Sequence, residues 1–253
     1  MNLRVEQPAP HVRRVVIDRP PVNALDTAGM AALARTLERV EQDLDVRCVV
    51  LASAHGAFTA GGDLREQQGL SHAGRAAYLD AFLALVDRVE ALRTPVVAAI
   101  DGPCMGGGLE LALACDVRVA ASGAAFCASA VNVGLVASVQ RLPRLIGLGP
   151  AMEMLLTGAT YDAHRAKHWQ LVTAVHEPEE LAAAALALAT RIASRAPLAV
   201  EATKALAQQA FDLTPAQARE EQLAHFERLG ATGDHAEALD AFATKRSAEF
   251  QRC

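Results

Sequence analysis

The sequence predicts an α/β fold with a largely parallel sheet, followed by a helical C-terminal part. Short apolar runs alternate with longer segments of helical periodicity in the first half of the chain, a pattern typical of parallel strands joined by helices. One of these runs, Val96–Ile100, is apolar throughout, as expected for a strand that is buried on both faces. After Pro150 the alternation ends and only helical patterns remain.

The elements can be assigned in order along the chain. Strands are predicted at Val12–Asp18, 46–53, Val96–Ile100 and Val117–Ala121. Asp26 is a suitable N-cap for a helix over Thr27–Gln42. In a second, long helix apolar residues recur at helical spacing, at Leu79, Phe82, Leu83, Val86, Val89 and Leu92. Later helices are predicted at residues 109–115, 151–156, 162–169, 179–194, 197–210, 215–229 and 235–250.

Two glycine-rich turns each connect a predicted strand to a predicted helix. Residues 106–108 are three consecutive glycines, and Gly61 and Gly62 precede Asp63, a good N-cap residue. Glycine lacks a Cβ, so a ligand can approach the backbone closely at such turns. Because unpaired N–H groups and the positive end of the helix dipole meet there, both turns are suited to bind negative charge.

Glu110 lies on the first turn of the helix that follows the glycines at 106–108. It is flanked by Leu109 and Leu111, and it is expected to be buried and to be the only ionisable group there. The alternative is a surface residue that complements the helix dipole. Burial of an unpaired carboxylate is costly, which favours a functional role. A carboxylate beside an oxyanion site is suited to proton transfer at the carbon next to a carbonyl.

Composition excludes several other classes of protein. The 253 residues are 52% apolar and carry a net charge of -5, so a large core is expected and a nucleic-acid-binding surface is not. The five cysteines lack C-x-x-C spacing and are expected to be free and reduced. His164 and His168 are four residues apart, but charged neighbours favour a solvated face, and no metal site is expected. With no apolar N-terminal segment, we expect a cytoplasmic protein without a membrane partner.

Three segments together resemble the crotonase, or enoyl-CoA hydratase/isomerase, superfamily. They read AFTAGGDL, PVVAAIDGPCMGGGLELALACDVRVAA and AFATKRSAEF, and the resemblance extends over residues 12–250. It implies a crotonase-like superhelix of ββα units with a C-terminal helical region that forms trimers. By this resemblance residues 1–195 form a core that binds acyl-CoA, and residues 196–253 serve oligomerisation and complete the CoA site.

The resemblance also implies the roles of individual residues. The amides of Gly62 and Gly107 would form an oxyanion hole for the thioester carbonyl, and Glu110 matches the first of two catalytic glutamates in the family's hydratases. The implied CoA-binding residues are Val22, Asn23, Ala24, Leu25, Ala60, Gly61, Asp63, Leu64, Gly106 and Ala130. Phe242 and Lys245 match a C-terminal pair that contacts the CoA of a neighbouring subunit. A homotrimer or a dimer of trimers is therefore expected.

One departure from the family pattern bears on the reaction. Ala130 stands where the hydratases have their second glutamate, and the loop over residues 134–142 is shorter. Related members with a shortened loop include double-bond isomerases, thioester decarboxylases and hydratases of cyclic dienoyl-CoA substrates. Without the second glutamate another group must orient water in a hydration. Asn132 and Ser138 are candidates by their place in the sequence, and the alternative is that both are ordinary polar loop residues.

Three functions remain open from the sequence. The first is an enoyl-CoA hydratase-type lyase of fatty acid metabolism, which adds water to an enoyl- or dienoyl-CoA with Glu110 as general acid and base. The second is an isomerase or a decarboxylase that uses the same enolate chemistry. The third is a non-catalytic family member that acts as a binding protein, against which the presence of Glu110 argues. No cofactor is expected, since CoA is part of the substrate.

Overall fold

The computed structural model describes residues 2–253 and contains nine strands in two sheets. The strands are β1 (Asn2–Ala9), β2 (Val12–Asp18), β3 (Cys48–Ser53), β4 (Val96–Ile100), β5 (Pro103–Met105), β6 (Val117–Ala121), β7 (Ala125–Cys127), β8 (Thr160–Asp162) and β9 (Ala174–His176). The main sheet has the order β1-β2-β3-β4-β6-β9. Only the pair β1 and β2 in it is antiparallel. The predicted α/β fold with a largely parallel sheet is confirmed.

Eleven α-helices surround the sheets in the part of the chain that is described. They are α1 (Thr27–Gln42), α2 (Leu64–Gln68), α3 (His72–Ala91), α4 (Gly107–Leu113), α5 (Arg141–Ile146), α6 (Leu148–Thr157), α7 (Ala163–His168), α8 (Pro178–Ala193), α9 (Pro197–Gln208), α10 (Pro215–Gly230) and α11 (Gly233–Thr244). A short 3₁₀ helix spans Ser129–Val133. Among residues 2–253 no single helix is long and apolar enough to cross a membrane, although α8 and α9, bent by 106°, reach that length and hydropathy as a pair.

The central strand β4 is buried on both faces, as its apolar run predicts. Val97 and Ala99 pack towards α8, whose buried apolar residues at four-residue spacing form a seam. That seam consists of Leu181, Ala185, Ala189 and Ala193. Val96, Ala98 and Ile100 point to the opposite face, where α1, α3 and α4 cover the sheet. The carboxyl end of β4 therefore opens towards the helix that carries Glu110.

Most predicted bounds are close to the observed ones, and the differences have local causes. α4 begins at Gly107, two residues earlier than predicted, so the helix includes part of the glycine turn. The prediction that the last helix reaches residue 250 was wrong: α11 ends at Thr244, and Lys245 has φ +55°. On α3, Leu79 and Leu83 are exposed rather than buried. Strand β1 was not predicted, because its residues show no apolar run. The expectation that only helices follow Pro150 was wrong: β8 and β9 lie after it, and each has only three residues, too few to show a strand pattern.

All five cysteines are free, and four of them are buried. Cys48, Cys104, Cys115 and Cys127 lie in the interior, whereas Cys253 is exposed. Burial raises the pKa of the Cys48 and Cys115 thiols to about 12. These interior thiols therefore pack as small apolar groups.

The C-terminal segment returns to the sheet region. Arg47 donates a hydrogen bond to the carbonyl of Phe250 at 2.7 Å. Arg252 donates to both carboxylate oxygens of Glu201 on α9, and Glu201 also accepts from Arg93 at 2.8 Å. These contacts join the last residues of the chain to the region before residue 195. The boundary between residues 195 and 196 stays a prediction.

Candidate active site

The first glycine turn is held between two neighbouring segments. Leu25 forms an isolated parallel bridge with Gly62, and Thr59 forms one with β5. The Thr59 hydroxyl donates to the carbonyl of Asn23 at 2.7 Å and accepts from the amide of Gly61 at 3.0 Å. Thr59 and Asn23 are both fully buried. The backbone conformation at Gly61 and Gly62 is thus set by hydrogen bonds on both sides.

The second glycine turn requires glycine for steric reasons. Gly106 has φ +52°, a left-handed value that residues with a Cβ rarely adopt, and its amide donates to the carbonyl of Cys127 at 2.8 Å. Its carbonyl accepts from the amide of Glu110 at 3.1 Å, which closes the first turn of α4. A Cβ on Gly108 would lie 2.2 Å from the carbonyl oxygen of Thr59. The two turns are therefore in direct contact.

The amides of Gly62 and Gly107 lie next to each other where the two turns meet. A Cβ on Gly61 would lie 2.6 Å from the nitrogen of Gly107, and a Cβ on Gly107 would lie 3.3 Å from the nitrogen of Gly62. Within residues 2–253 neither amide donates a hydrogen bond to another group of the chain. Both glycines line the same cavity. Two backbone donors are thus available to a single acceptor placed in that cavity.

The cavity has a volume of about 510 Å³ and a mostly apolar lining. Its walls come from the loop before α1, the first glycine turn, α3, the second glycine turn and the segment after β7. The lining residues are Arg19, Pro20, Pro21, Val22, Ala24, Ala60, Gly62, Asp63, Leu64, Arg65, Leu79, Phe82, Gly106, Gly107, Ser129, Ala130, Val133, Leu135, Val136 and Ala137. This size and character are typical of small-molecule sites.

Asp63 is the only acidic residue among those lining residues, and it has a structural role. Its side chain accepts from the amides of Arg65 and Glu66 and so caps α2, as predicted. The Arg19 guanidinium donates to Asp63 Oδ2 at 2.7 Å, and this hydrogen bond lowers the pKa of Asp63. Asp63 is therefore held ionised by its partners and is not available as a proton carrier at neutral pH.

Glu110 is buried, with 5% of its surface exposed, but it is not unpaired. Ser138 donates a hydrogen bond from Oγ to Glu110 Oε2, and Arg141 donates from Nη1 to Oε1 at 2.9 Å. The expectation that Glu110 is the only ionisable group at this turn was wrong. A buried carboxylate needs a partner in the interior, and Arg141 supplies it from a segment 31 residues further along the chain.

Arg141 connects Glu110 to two acidic residues on α3. Its Nη2 donates to Asp87 at 2.7 Å and to Glu90 at 2.6 Å, and its Nε donates to Glu90 at 3.1 Å. Burial acts to lower the pKa of Arg141, but the hydrogen bonds to Glu90, Asp87 and Glu110 outweigh it, and the pKa is raised. Arg141 thus remains charged, and through its hydrogen bonds it links the Glu110 carboxylate to α3.

Glu110 itself is not among the residues that line the cavity. Gly107, three residues before Glu110, and Ala137, next to Ser138, do line it. Of the two loop residues considered for orienting water, Ser138 contacts Glu110, whereas Asn132 donates to the carbonyl of Gly158 at 2.8 Å. Asn132 therefore fixes the loop before β8 and is not part of this cluster.

Most of the residues implied in CoA binding meet at the cavity. The lining includes Val22, Ala24, Ala60, Asp63, Leu64, Gly106 and Ala130 together with Gly62 and Gly107. Asn23, Leu25 and Gly61 are not part of it. The side-chain amide of Asn23 donates hydrogen bonds to the carbonyls of Ala54 and Ala57, both at 2.7 Å. The side chain therefore holds the loop after β3 and is not free for a ligand.

Phe242 and Lys245 lie outside the cavity within one chain. Phe242 is 87% exposed on α11, and Lys245 is exposed at the end of that helix. Neither lines the cavity described above. A contact between these residues and a ligand in the cavity would have to come from another subunit, and that role stays a prediction.

The sequence reasoning missed several residues that shape the site. Arg141 was the most important, and the signal available for it was the need of a buried Glu110 for a cation. Tyr78 on α3 donates to the carbonyl of Leu25 at 2.5 Å and accepts from the amide of Asp63 at 3.1 Å. Phe82 lines the cavity beside Gly107. Neither aromatic residue gave a local signal, because each acts across a long sequence separation.

Arg118 holds the far end of the helix that carries Glu110. Its buried guanidinium donates to the carbonyls of Ala112 at 3.3 Å and Cys115 at 2.6 Å, at the C-terminus of α4, and to Leu171 at 2.8 Å. Carbonyl groups at a helix end lack intrahelical partners, and a cation there also interacts favourably with the dipole. α4 is thus fixed by glycine packing at its start and by Arg118 at its end.

Comparison with known proteins supports the resemblance seen in the sequence. Residues 9–252 match the profile of the family described as enoyl-CoA hydratase/isomerase. The chain belongs to this family. Its members act on acyl-CoA thioesters, so the cavity with the two free amides is a candidate site for such a compound.

Relatives and solved structures resemble this family member over most of its length. It is 36% identical over 241 residues to a probable enoyl-CoA hydratase of Rhizobium meliloti, covering 94% of this chain and 93% of the relative. It is 40% identical over 199 residues to an (E)-benzylidenesuccinyl-CoA hydratase of Thauera aromatica, covering 77% of each. The crystal structure of an enoyl-CoA hydratase from Bacillus anthracis has a TM-score of 0.97 at 32% identity and covers 100% of both chains. The crotonase fold is confirmed.

Proposed function

We propose that this family member is a hydratase-type lyase that adds water to an enoyl-CoA or dienoyl-CoA thioester. The main supporting observation is that Gly62 and Gly107, whose amides have no acceptors in residues 2–253, line one cavity, and that Gly107 begins the helix whose first turn carries Glu110. Two such amides would stabilise an enolate oxygen, and each donor of this kind contributes about 2.7–4 kcal/mol to a transition state. Names of the relatives also support a hydratase.

In this proposal a single carboxyl group moves one proton twice. Attack of water on the β-carbon forms the new C–O bond and shifts the electron pair of the double bond towards the thioester oxygen at the two amides. Glu110 accepts the proton that water loses and then delivers it to the α-carbon as the enolate collapses. The carboxylate acts first as base and then as acid, and it ends in its starting state.

Double-bond isomerisation is the second candidate, and Ala130 favours it. Ala130 lines the cavity at the position of the second family glutamate, and no glutamate is among the lining residues in the described chain. Moving a proton between two carbons needs one carboxyl group and no oriented water. Decarboxylation of an acyl-CoA would use the same amides for its enolate. A non-catalytic binding role is the third candidate, and loss of turnover in Glu110→Gln would exclude it.

The assay that separates these candidates uses two substrates. With crotonyl-CoA, a hydratase removes the conjugated double bond, whereas with a 3-enoyl-CoA an isomerase creates one. We expect loss of conjugation from crotonyl-CoA or from a dienoyl-CoA. Glu110→Gln should reduce turnover by about 100-fold or more, the lower range of a general base.

Glu179→Gln is the matched control, because Glu179 is an exposed glutamate on α8. It should keep the wild-type turnover. Unchanged turnover in Glu110→Gln would remove Glu110 from the mechanism. Conversion of the 3-enoyl-CoA to its conjugated isomer without any hydration would instead establish the isomerase.

A further inference from the structure

Ser138 is buried within a segment whose apolar side chains are exposed. Val136 and Val139 are 79% and 59% exposed, whereas Ser138 between them is 5% exposed. Soluble proteins ordinarily bury valine and leave serine at the surface. In this conformation two valines are exposed and one serine hydroxyl is buried. The hydrogen bond that this hydroxyl makes is therefore the feature of the segment to explain.

The backbone at Ser138 is also strained. Its φ is +59°, in the left-handed region that costs free energy for any residue with a Cβ. Its carbonyl accepts from the amide of Leu142 at 3.3 Å, so the strained residue leads directly into α5. Strained residues persist where the surrounding structure holds them, and they are frequent at functional sites.

The contact that results is a two-point attachment of Glu110. Ser138 Oγ donates to one carboxylate oxygen and Arg141 Nη1 donates to the other at 2.9 Å. The two donors are three residues apart in sequence, so one short segment holds both oxygens. A carboxylate offers about four acceptor directions, and these bonds leave the others open for a proton from water or substrate.

We infer that Ser138 is a positioning residue for Glu110, which fixes the orientation of the one carboxyl group that must transfer the proton without a second glutamate. The inference rests on the proposed function only in that Glu110 is the group that transfers the proton. When one carboxyl group must accept a proton at one place and release it at another, rotation of that group misaligns both steps. Ser138 prevents that rotation at Oε2 while Arg141 holds Oε1.

The test compares Ser138→Ala with Ser138→Gly. Both remove the hydroxyl, but only glycine relieves the left-handed strain, so the pair separates the hydroxyl from the backbone. Val139→Ala is the control, because Val139 is exposed and does not line the cavity. The measurements are kcat and KM for the enoyl-CoA substrate, and the rate at which butyryl-CoA exchanges its α-hydrogens with D2O. The exchange reports on proton abstraction by Glu110 without requiring hydration.

Both Ser138 variants should lose about 10-fold to 100-fold in kcat and in exchange rate, the range for one hydrogen bond to a charged group. KM should stay within about twofold, because Ser138 does not line the cavity. Wild-type rates in both variants, a loss confined to Ser138→Ala, or a change in KM alone would each overturn the inference. A wild-type protein that exchanges but does not hydrate would contradict only the hydratase proposal, and one that does neither would overturn both.

Discussion

Glu110 and Ala130 determine what the site can do at the level of single residues. Glu110 is bonded at both carboxylate oxygens, and Ala130 presents only a methyl group to the cavity. Glu110, Gly62 and Gly107 could be proposed as site residues from the sequence, because glycine turns and a carboxylate in an apolar helix are local signals. The contacts of Arg141 and Ser138 with Glu110 could not be predicted, since they span 31 and 28 residues.

Restoring a carboxylate at position 130 should favour hydration. In Ala130→Glu the new side chain would enter the cavity from the 3₁₀ helix and could orient water against the β-carbon. We expect kcat/KM for crotonyl-CoA to rise by about tenfold, below the 10²- to 10⁴-fold range of a well-placed acid or base. Steady-state hydration of crotonyl-CoA measures it.

Val133→Glu is the control for this change, because Val133 lines the same cavity from the other end of the 3₁₀ helix. It should give no such gain. If Ala130→Glu folds with an unchanged circular dichroism spectrum and still shows no increase, position 130 does not correspond to the second glutamate of the family.

At the level of elements, the sequence predicted best those strands and helices whose pattern of apolar residues is continuous or regular within the segment itself. The bounds of β2, α1, β4 and β6 agree with the predicted ones, because continuous apolar runs and a capped amphipathic pattern need no distant partner. Strand β1 was missed because it is an edge strand whose antiparallel pairing with β2 defines it. The end of α11 was missed because its left-handed cap falls on Lys245, where a glycine would have been the usual stop signal.

The turn after α11 depends on the ionisation of Glu237. Arg246 donates to both oxygens of Glu237, which also accepts from the amide of Glu249 at 2.7 Å. The hydrogen bond with Arg246 is the main cause that lowers the pKa of Glu237 from 4.5 to about 2. Because the folded pKa lies below the unfolded one, this stabilisation is complete above about pH 4.5 and is lost as the pH falls towards 2.

We therefore expect residues 245–253 to loosen on acidification through that window. Amide hydrogen exchange, expressed as protection factors, should show lower protection of the tail at pH 3 than at pH 6. Glu237→Gln should show low protection already at pH 6, whereas Glu227→Gln, an exposed residue on α10, should match the wild type. Equal protection of the tail in Glu237→Gln and wild type at pH 6 would contradict this role.

At the level of the whole molecule, the C-terminal helices and the turn after α9 expose a group of large apolar side chains. They are Phe211, Leu223, Phe226, Leu239 and Phe242. Where such side chains lie side by side, they mark an interaction surface. The expectation of a homotrimer or a dimer of trimers, which came from the resemblance alone, is consistent with such a surface and stays a prediction.

The mass in solution tests this assembly. Light scattering after gel filtration should give three or six times 26.6 kDa. Phe226→Asp places a charge in the apolar group and should reduce the mass, whereas Leu44→Asp, at an exposed leucine far from those helices in sequence, should not. A monomer at micromolar concentration in the wild type would contradict the predicted homotrimer or dimer of trimers.

Of the five cysteines, one is accessible to a thiol-reactive label. Four cysteines are enclosed, and burial raises the pKa of each of them, which suppresses the reactive thiolate. Cys253 is exposed. It lies two residues after Gln251, whose backbone amide donates a hydrogen bond to the Asp234 side chain. A maleimide dye should therefore attach at Cys253, where its fluorescence would follow the docking of residues 245–253 and the association of subunits.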